Sequence, residues 1–234
     1  MIILALESSG LVASAALVSE DRLIGEYTTN FKKTHSQTLL PMMDALLKMT
    51  GIDIDDIDAF AVSGGPGSFT GLRIGSATVK GLAMVKDKPV INVPTLEGLA
   101  CNFYGTDSVI CPLMDARRQQ TYTALYEFNG DQLNCLSPQK AVKIEDILAE
   151  VNALGRSVIF LGDGVPVFRE KIKELVTVPW QLAPPHLAAQ RAGAVGIRAL
   201  DYYKEGKTET AAKHKPEYLR LSQAERERLE KKKA

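Results

Sequence analysis

Residues 64–75 of the chain read GGPGSFTGLRIG, and this stretch places five glycines at the junction of two elements. It follows a predicted strand at 58–63 and opens a predicted helix at 69–85. Gly71 and Gly75 are four positions apart, so they share one face of that helix and let another backbone come close. Five glycines near a helix start would destabilise the helix unless such contacts compensated. Spacing alone leaves open whether the neighbour is internal or a second subunit.

The same stretch matches neither a phosphate-cradling loop, with its trailing Lys and Ser or Thr, nor the spacing of a dinucleotide fingerprint. Arg73 is the one charged residue in it. Its guanidinium suits a phosphate or carboxylate clamp, and the alternative is a solvated surface arginine. Standard gripping of a nucleoside triphosphate is therefore not indicated here.

Periodicity around this stretch predicts an α/β lobe that is then repeated. The first lobe has strands at 2–6, 12–18 and 23–27, a helix at 36–50 with a capping box at Thr34 and Gln37, and then the strand, helix and strand at 58–63, 69–85 and 89–93. The second has strands at 109–115, 121–128 and 158–161 and helices at 143–152, 167–175 and 187–203. We predict an N-terminal lobe at 1–103, a smaller C-terminal lobe at 104–221 and a charged tail at 222–234.

Composition restricts the class of protein. The chain has 28 Lys and Arg against 28 Asp and Glu, so no overall basic field draws it onto RNA or anionic lipid. Its three cysteines stand singly, which suits a reducing compartment. The apolar run at 2–6 is too short for a signal segment or a membrane span. We predict a cytoplasmic protein that makes no membrane contact.

Glu7, Ser8 and Ser9 follow the first predicted strand. In folds that grip phosphates with the first hairpin, this connection offers an acid, hydroxyls and backbone amides. An acid and two serines are also ordinary turn chemistry, and these residues by themselves favour the turn.

The predicted helix at 36–50 is apolar over more than one stripe. Leu39, Met42, Met43, Leu46 and Met49 form one broad face, and Leu40 and Leu47 extend it. So wide a face indicates either a well-buried core helix or a helix that a partner covers. Methionine adapts to irregular partners, and the sequence leaves the two alternatives equal.

Several of these segments carry a family likeness. LALESS at 4–9, GPGSFTGLRIG at 65–75, DAR at 115–117 and PEYLR at 216–220 closely resemble the bacterial TsaB, or YeaZ, family of tRNA threonylcarbamoyladenosine biosynthesis proteins. The match spans almost the whole chain. The resemblance implies a degenerate, two-lobed actin-like ATPase fold, related to Hsp70 and sugar kinases, with a mixed five-stranded sheet in the N-terminal lobe.

The resemblance also implies partners. The expected role is a non-catalytic subunit for N6-threonylcarbamoyladenosine (t6A) formation at adenosine 37 of tRNAs that read codons beginning with A. The catalytic relative TsaD would bind as a heterodimer, the ATPase TsaE would join through that complex, tRNA would be met indirectly, and the chain alone would form a homodimer. The expected partner-binding residues are Leu39, Leu40, Met42, Met43, Leu46, Leu47, Gly71, Leu72, Gly75, Val79 and Leu82.

Catalytic groups of the relative are missing. Alignment on Glu97 and Gly98 puts Thr95 and Leu99 where the resemblance implies two metal-binding histidines, and neither is a good ligand. His35, His186 and His214 are scattered without chelating spacing. We therefore expect no catalytic residue, metal or cofactor.

Remnants of a nucleotide site are the last group of candidates. The second hairpin, 115–120, carries bulky side chains where glycines would admit phosphates. Glu7 and Asp115 are a candidate carboxylate pair across a cleft, and the alternative, which the missing metal and phosphate cradle favour, is a turn or surface role for each. Vestigial nucleotide or phosphate contacts are expected at Glu7, Ser8, Ser9, Arg73, Asp115, Gly162 and Gly164.

Two enzymatic alternatives stay open. One is an ATP-dependent phosphotransferase or ATPase of the same superfold, using Glu7 and Asp115. The other is a metallopeptidase, against which the absence of paired histidines and of an HExxH motif counts.

Overall fold

The computed structural model describes residues 1–31 and 33–220. The charged tail expected at 222–234, with its Ser222 and Glu225 capping box, lies outside the described residues.

The first half of the chain forms a five-stranded sheet with two long helices on one face. Its elements are β1 (Ile2–Glu7), β2 (Ala13–Ser19), β3 (Leu23–Thr29), α1 (His35–Thr50), β4 (Ala59–Gly65), α2 (Phe69–Lys86), β5 (Val90–Pro94) and the short helix α3 (Thr95–Ala100). The strand order is β3-β2-β1-β4-β5. Strands β1, β2 and β3 pair antiparallel, whereas β1, β4 and β5 run parallel. The carboxyl ends of the three parallel strands therefore meet at one edge.

The second half repeats this arrangement. Its elements are β6 (Val109–Asp115), β7 (Gln120–Asn129), β8 (Gln132–Lys143), α4 (Ile144–Leu154), β9 (Val158–Leu161), α5 (Val165–Leu175), β10 (Trp180–Leu182) and α6 (Ala192–Lys204). The order β8-β7-β6-β9-β10 is the order of the first sheet. This duplicated mixed sheet confirms the predicted two-lobed actin-like fold.

Three elements depart from the sequence prediction. The hydrophobic pattern predicts neither α3, β8 nor β10. Strand β8 is an edge strand of mostly polar, partly exposed residues with Pro138 inside it, so the alternation that marks a strand is weak. The last helix begins at Ala192 rather than at 187.

Helices α3 and α6 lock the two halves together. Helix α6 follows the second sheet in sequence but packs on the first, where Val195 and Ala199 meet Ile3 and Ala5. Helix α3 precedes the second sheet but packs on it, with Leu99 among the buried residues. A cut at residue 103 would separate each helix from the core that it completes.

Helix α1 lies on the other face of the first sheet. Leu39, Met43 and Leu46 are buried there, so much of the wide apolar face of α1 belongs to the core. Gly51 ends the helix in a left-handed conformation with φ of 69°. The capping box expected at Thr34 is wrong, because the Thr34 hydroxyl accepts a hydrogen bond from Ser36 and makes no cap bond.

The glycines of α2 have an internal neighbour. A Cβ atom at Gly71 would lie 2.0 Å from the Ser8 carbonyl oxygen, and one at Gly75 would lie 2.3 Å from Ser8 Oγ. A Cβ atom at Gly67 would lie 2.3 Å from the carbonyl oxygen of Ser9. These glycines therefore let α2 lie directly on the β1–β2 hairpin.

This packing predicts opposite effects for two glycines of one helix. Gly71→Ala should lower the free energy of unfolding by about 2–3 kcal/mol, because its methyl group meets backbone that cannot easily move. Gly81→Ala should raise it by about 0.5–1 kcal/mol, because no atom lies within 4 Å of that position and alanine favours helix. Urea unfolding measures both variants, and equal effects would contradict the packing.

Candidate functional site

Glu7 stands at the end of β1 and is 1% exposed. Its Oε1 accepts hydrogen bonds from the Ser9 amide (2.6 Å) and the Ser9 hydroxyl (2.5 Å), and its Oε2 accepts one from the Ser63 hydroxyl. Burial raises the pKa of Glu7, and the bonds from Ser63 and Ser9 oppose that rise. Both carboxylate oxygens are thus engaged inside the protein, which agrees with the turn interpretation of the sequence.

The rest of the hairpin is covered as well. Ser8 donates from its hydroxyl to the Gly71 carbonyl (2.9 Å), and the Ser9 carbonyl accepts from the Ser68 amide (2.6 Å). Gly10 lies under the buried side chain of Gln190, because a Cβ atom there would be 2.9 Å from the amide nitrogen. The hairpin that would face a phosphate is filled by the protein itself.

A C-terminal strap, residues 214–220, crosses this region. The Glu217 amide donates to the Gly64 carbonyl (2.7 Å), and Tyr218 stacks on Phe69 with ring centroids 4.2 Å apart. Arg73 lies beside both rings and donates from Nε to the Tyr218 hydroxyl (3.3 Å). PEYLR at 216–220 carries the family likeness, but the few apolar residues between its charges give no sequence signal of such a contact.

The strap also reaches the second lobe. Arg220 donates from Nη1 to the Ala116 carbonyl (2.6 Å) in the β6–β7 loop. In that loop Arg117, Arg118 and Gln119 have φ of 62°, 55° and 59°. Three successive left-handed residues with long side chains form the turn, in place of the glycines of a phosphate cradle.

Glu7 and Asp115, the candidate carboxylate pair, have separate hydrogen-bond partners. Glu7 is taken up by serine donors, and Asp115 accepts the Arg117 amide (2.8 Å) at the surface. The acid beside Asp115 is Asp163, in the turn between β9 and α5. Burial raises the pKa of Asp163 to about 6, and the charge of Asp115 adds to the rise against hydrogen bonds from backbone amides.

Gly162 and Gly164, on either side of Asp163, serve packing. A Cβ atom would lie 2.2 Å from the Leu113 carbonyl oxygen at Gly162 and 2.9 Å from it at Gly164. The Gly164 amide donates to that same carbonyl (2.9 Å). The two glycines let the turn lie against β6, and this contact accounts for them without a nucleotide.

The positions expected to have lost metal ligands lie in the core. Thr95 and Leu99 are each 1% exposed on α3. His35 bonds the Gly10 carbonyl through Nε2 (2.9 Å), and His214 is buried with Nδ1 2.7 Å from Glu209 Oε1. Over the ranges 1–31 and 33–220, no three His, Cys, Asp or Glu side chains are grouped so that they could hold a metal ion.

The expected partner-binding residues divide into two sets. Those buried inside the chain, and therefore unavailable to a partner in this conformation, are Leu39, Met43, Leu46, Gly71, Leu72, Gly75 and Val79. Met42, Leu47 and Leu82 are half-buried against the same core, and Leu40 is 56% exposed. A single apolar periodicity cannot separate these sets, because both faces of α1 carry leucine and methionine.

An exposed stripe on α2 is missing from the sequence prediction. Thr70, Arg73, Ala77, Gly81 and Met84 recur every three or four residues and all are exposed. Met84 is 67% exposed, and the space above Gly81 is open. Helix α2 contacts α1, so this stripe and Leu40 lie on neighbouring helices. Small residues give little hydrophobic signal, which is why the pattern alone does not mark them.

No helix in the described part of the chain combines the length and the apolar character needed to cross a membrane.

The raised pKa of Asp163 predicts a pH effect. Between about pH 4 and pH 6 the folded chain keeps a proton that the unfolded chain releases, so this group's stabilising contribution is lost as the pH rises through 6. Asp163→Asn removes that loss. Its free energy of unfolding relative to the wild type should rise by about 1–2 kcal/mol between about pH 4.5 and pH 7.5.

Urea unfolding at the two pH values measures this difference. Asp131→Asn, in the exposed turn between β7 and β8, controls for the change of an acid to an amide. A difference between Asp163→Asn and wild type that is constant with pH would contradict the shifted pKa.

Comparison with known proteins agrees with the resemblance. The family model of TsaD, tRNA N6-adenosine threonylcarbamoyltransferase, matches residues 22–228. The tRNA threonylcarbamoyladenosine biosynthesis protein TsaB of Bacillus subtilis is 35% identical over 98% of this chain and 99% of that protein. TsaB of Escherichia coli is 30% identical over 94% of this chain and 95% of that protein. The solved structure of YeaZ from Pseudomonas aeruginosa superposes with a TM-score of 0.80 at 26% identity, over 93% and 99% of the two chains. The chain therefore belongs to the TsaB family of tRNA threonylcarbamoyladenosine biosynthesis proteins, which the TsaD family model also covers.

Proposed function

We propose that the chain is a non-catalytic subunit for t6A formation at adenosine 37 of tRNAs that read codons beginning with A. It binds TsaD and supports that protein in transferring threonylcarbamoyl from threonylcarbamoyl-AMP. The observation that carries the proposal is family membership over almost the whole chain, joined to a β1–β2 hairpin whose acid and backbone are engaged inside the protein.

Three features support the non-catalytic role. Glu7 has both oxygens engaged by Ser9 and Ser63, so it is not placed to act on a ligand. Gly67 and Gly71 admit the Ser8–Ser9 backbone rather than a phosphate. Thr95 and Leu99 fill the core at the positions where the resemblance implies metal ligands. No observation favours the phosphotransferase or metallopeptidase alternatives.

The proposed TsaD surface is the α1/α2 face, which we define as Leu40 with Ala77, Gly81 and Met84. Met84 shares the exposed α2 stripe with the two small residues, and Leu40 is exposed on the helix that contacts α2, so a second pair of helices can approach closely. The buried members of the expected partner-binding residues support this face from beneath and do not touch the partner.

The same face serves as the homodimer contact when TsaD is absent. TsaE joins through the TsaB–TsaD pair, and the assembly works on tRNA in the cytoplasm. These partners follow from the resemblance, and the exposed stripe on α2 supports the proposed contact with TsaD.

Gly81→Arg tests the α1/α2 face without disturbing the fold. Position 81 is exposed with open space above it, and arginine favours helix over glycine by about 0.8 kcal/mol. We expect the variant to fold as well as wild type, to lose co-purification with TsaD and to lose t6A formation in a reconstituted reaction. Gly75 and Met43 are poor sites for this test, because they are buried and their substitution would unfold the chain.

Val167→Arg is the matched control, since Val167 is an exposed apolar residue on α5, away from the proposed face. It should keep TsaD binding. Binding of Gly81→Arg at the wild-type level would refute the proposed face, and t6A formation by the chain without TsaD would refute the non-catalytic role.

A further inference from the structure

We propose that four arginines at the mouth of the cleft bind the phosphate backbone of the tRNA directly. We define the arginine row as Arg73, Arg117, Arg118 and Arg220. The proposal rests on the proposed function and deepens it, because it assigns a tRNA contact to this subunit where the resemblance implies only an indirect one.

The first observation is that no acid in the described part of the chain pairs with the row, whose arginines are exposed or half-buried. Arg191 and Arg198, by contrast, are paired with Glu26 and Glu97. Within 1–31 and 33–220, none of the four arginines of the row forms an ion pair. The chain has zero net charge, so four neighbouring arginines without ion pairs in the described residues make a local positive surface.

The second observation is that the strap connects the arginines of the row to one another. Arg73 is fixed beside Tyr218, Arg220 lies two residues further on, and Arg220 contacts Ala116, which is next to Arg117. A single Arg220 nitrogen is used in that contact, so its other donors stay available. The planar, multi-donor guanidinium suits phosphate oxygens.

The stacked pair of Phe69 and Tyr218 adds a feature that RNA recognises. Tyr218 is 38% exposed, and Arg73 lies 5.3 Å from the Phe69 centroid and 6.0 Å from that of Tyr218. Exposed aromatic rings next to arginine are the usual platform for an unpaired RNA base. The row therefore combines backbone and base contacts, which favours RNA over a mononucleotide.

The acids nearby are fewer than the cations. Glu145 is neutralised by Lys171, whereas Asp115 and Glu217 accept only neutral donors and keep their charge. Asp146 lines a groove of about 360 Å³ together with Arg118 and Lys143. The balance of charge at the mouth stays positive.

The backbone of the β6–β7 loop gives a third observation. Arg117 and Arg118 hold left-handed conformations that glycine or asparagine adopts at lower cost. Residues that keep an unfavourable conformation in this way point to a role for their side chains.

The test replaces both loop arginines with the residue that their conformation prefers. Arg117→Gly with Arg118→Gly removes two charges and relieves the backbone, so its thermal unfolding midpoint should equal or exceed that of wild type. Bound to TsaD, it should bind tRNA about five- to tenfold more weakly at low salt. The slope of log affinity against log salt should become shallower by about 1–2.

Arg169→Gln with Lys204→Gln is the matched control, because it removes two exposed cations without ion-pair partners from α5 and α6. The control should keep wild-type tRNA affinity. Equal tRNA affinity of the row variant and the control would overturn the proposal. Loss of ATP binding by the row variant with tRNA binding unchanged would also overturn it, since the phosphate ligand would then be a mononucleotide.

TsaD binding is measured on the same samples. The row variant should bind TsaD as wild type does, so weaker tRNA binding with TsaD binding intact supports the row. If wild type does not bind TsaD, the proposed function fails, and the comparison of row variant and control on the chain alone still decides the tRNA contact.

Discussion

The structure depends on the close approach of the α2 backbone to the β1–β2 hairpin. The carbonyl oxygens of Ser8 and Ser9 occupy the places where side chains at 67 and 71 would begin, so only glycine permits the contact. That contact holds Ser9 where its amide and hydroxyl bond Glu7, and a buried acid needs such donors to be tolerated. The strap is then laid over the same glycine segment through Gly64. One steric condition thus positions the hairpin, the acid and the strap.

Because the polar groups of the hairpins are engaged inside the protein, the groups available to a partner lie on the surface. Ser9 and Ser63 donate to Glu7, Asp115 accepts the Arg117 amide, and Asp163 is half-buried beside Asp115. The exposed parts are an apolar stripe on α2 and a basic row beside it at Arg73. The proposed protein surface and the proposed RNA surface would meet at this one helix, as in a subunit that holds a catalytic partner next to its tRNA.

The sequence predicted the fold better than the surface. Short apolar strands and strong helix periodicity gave the duplicated lobe, because burial of alternating residues leaves a clear pattern. The pattern missed strand β8 because none of the residues of this edge strand is fully buried. The glycines of α2 marked a close contact, but spacing does not say what lies opposite, and the answer was Ser8. Leu39 and Leu40 are adjacent and equally apolar, yet one is core and the other exposed. The sequence pattern did not indicate Gly81 either, because an exposed glycine adds nothing to hydrophobic periodicity.

The return of α6 to the first sheet has a consequence for synthesis on the ribosome. The strands that α6 covers, with Ile3, Ala5, Ala61 and Ile91 on that face, are complete once about 94 residues have emerged, whereas the covering helix ends at Lys204. During that interval the nascent chain presents an uncovered apolar sheet, and such surfaces are prone to aggregation and are bound by chaperones. The core of the N-terminal half is therefore completed only after α6 has been synthesised.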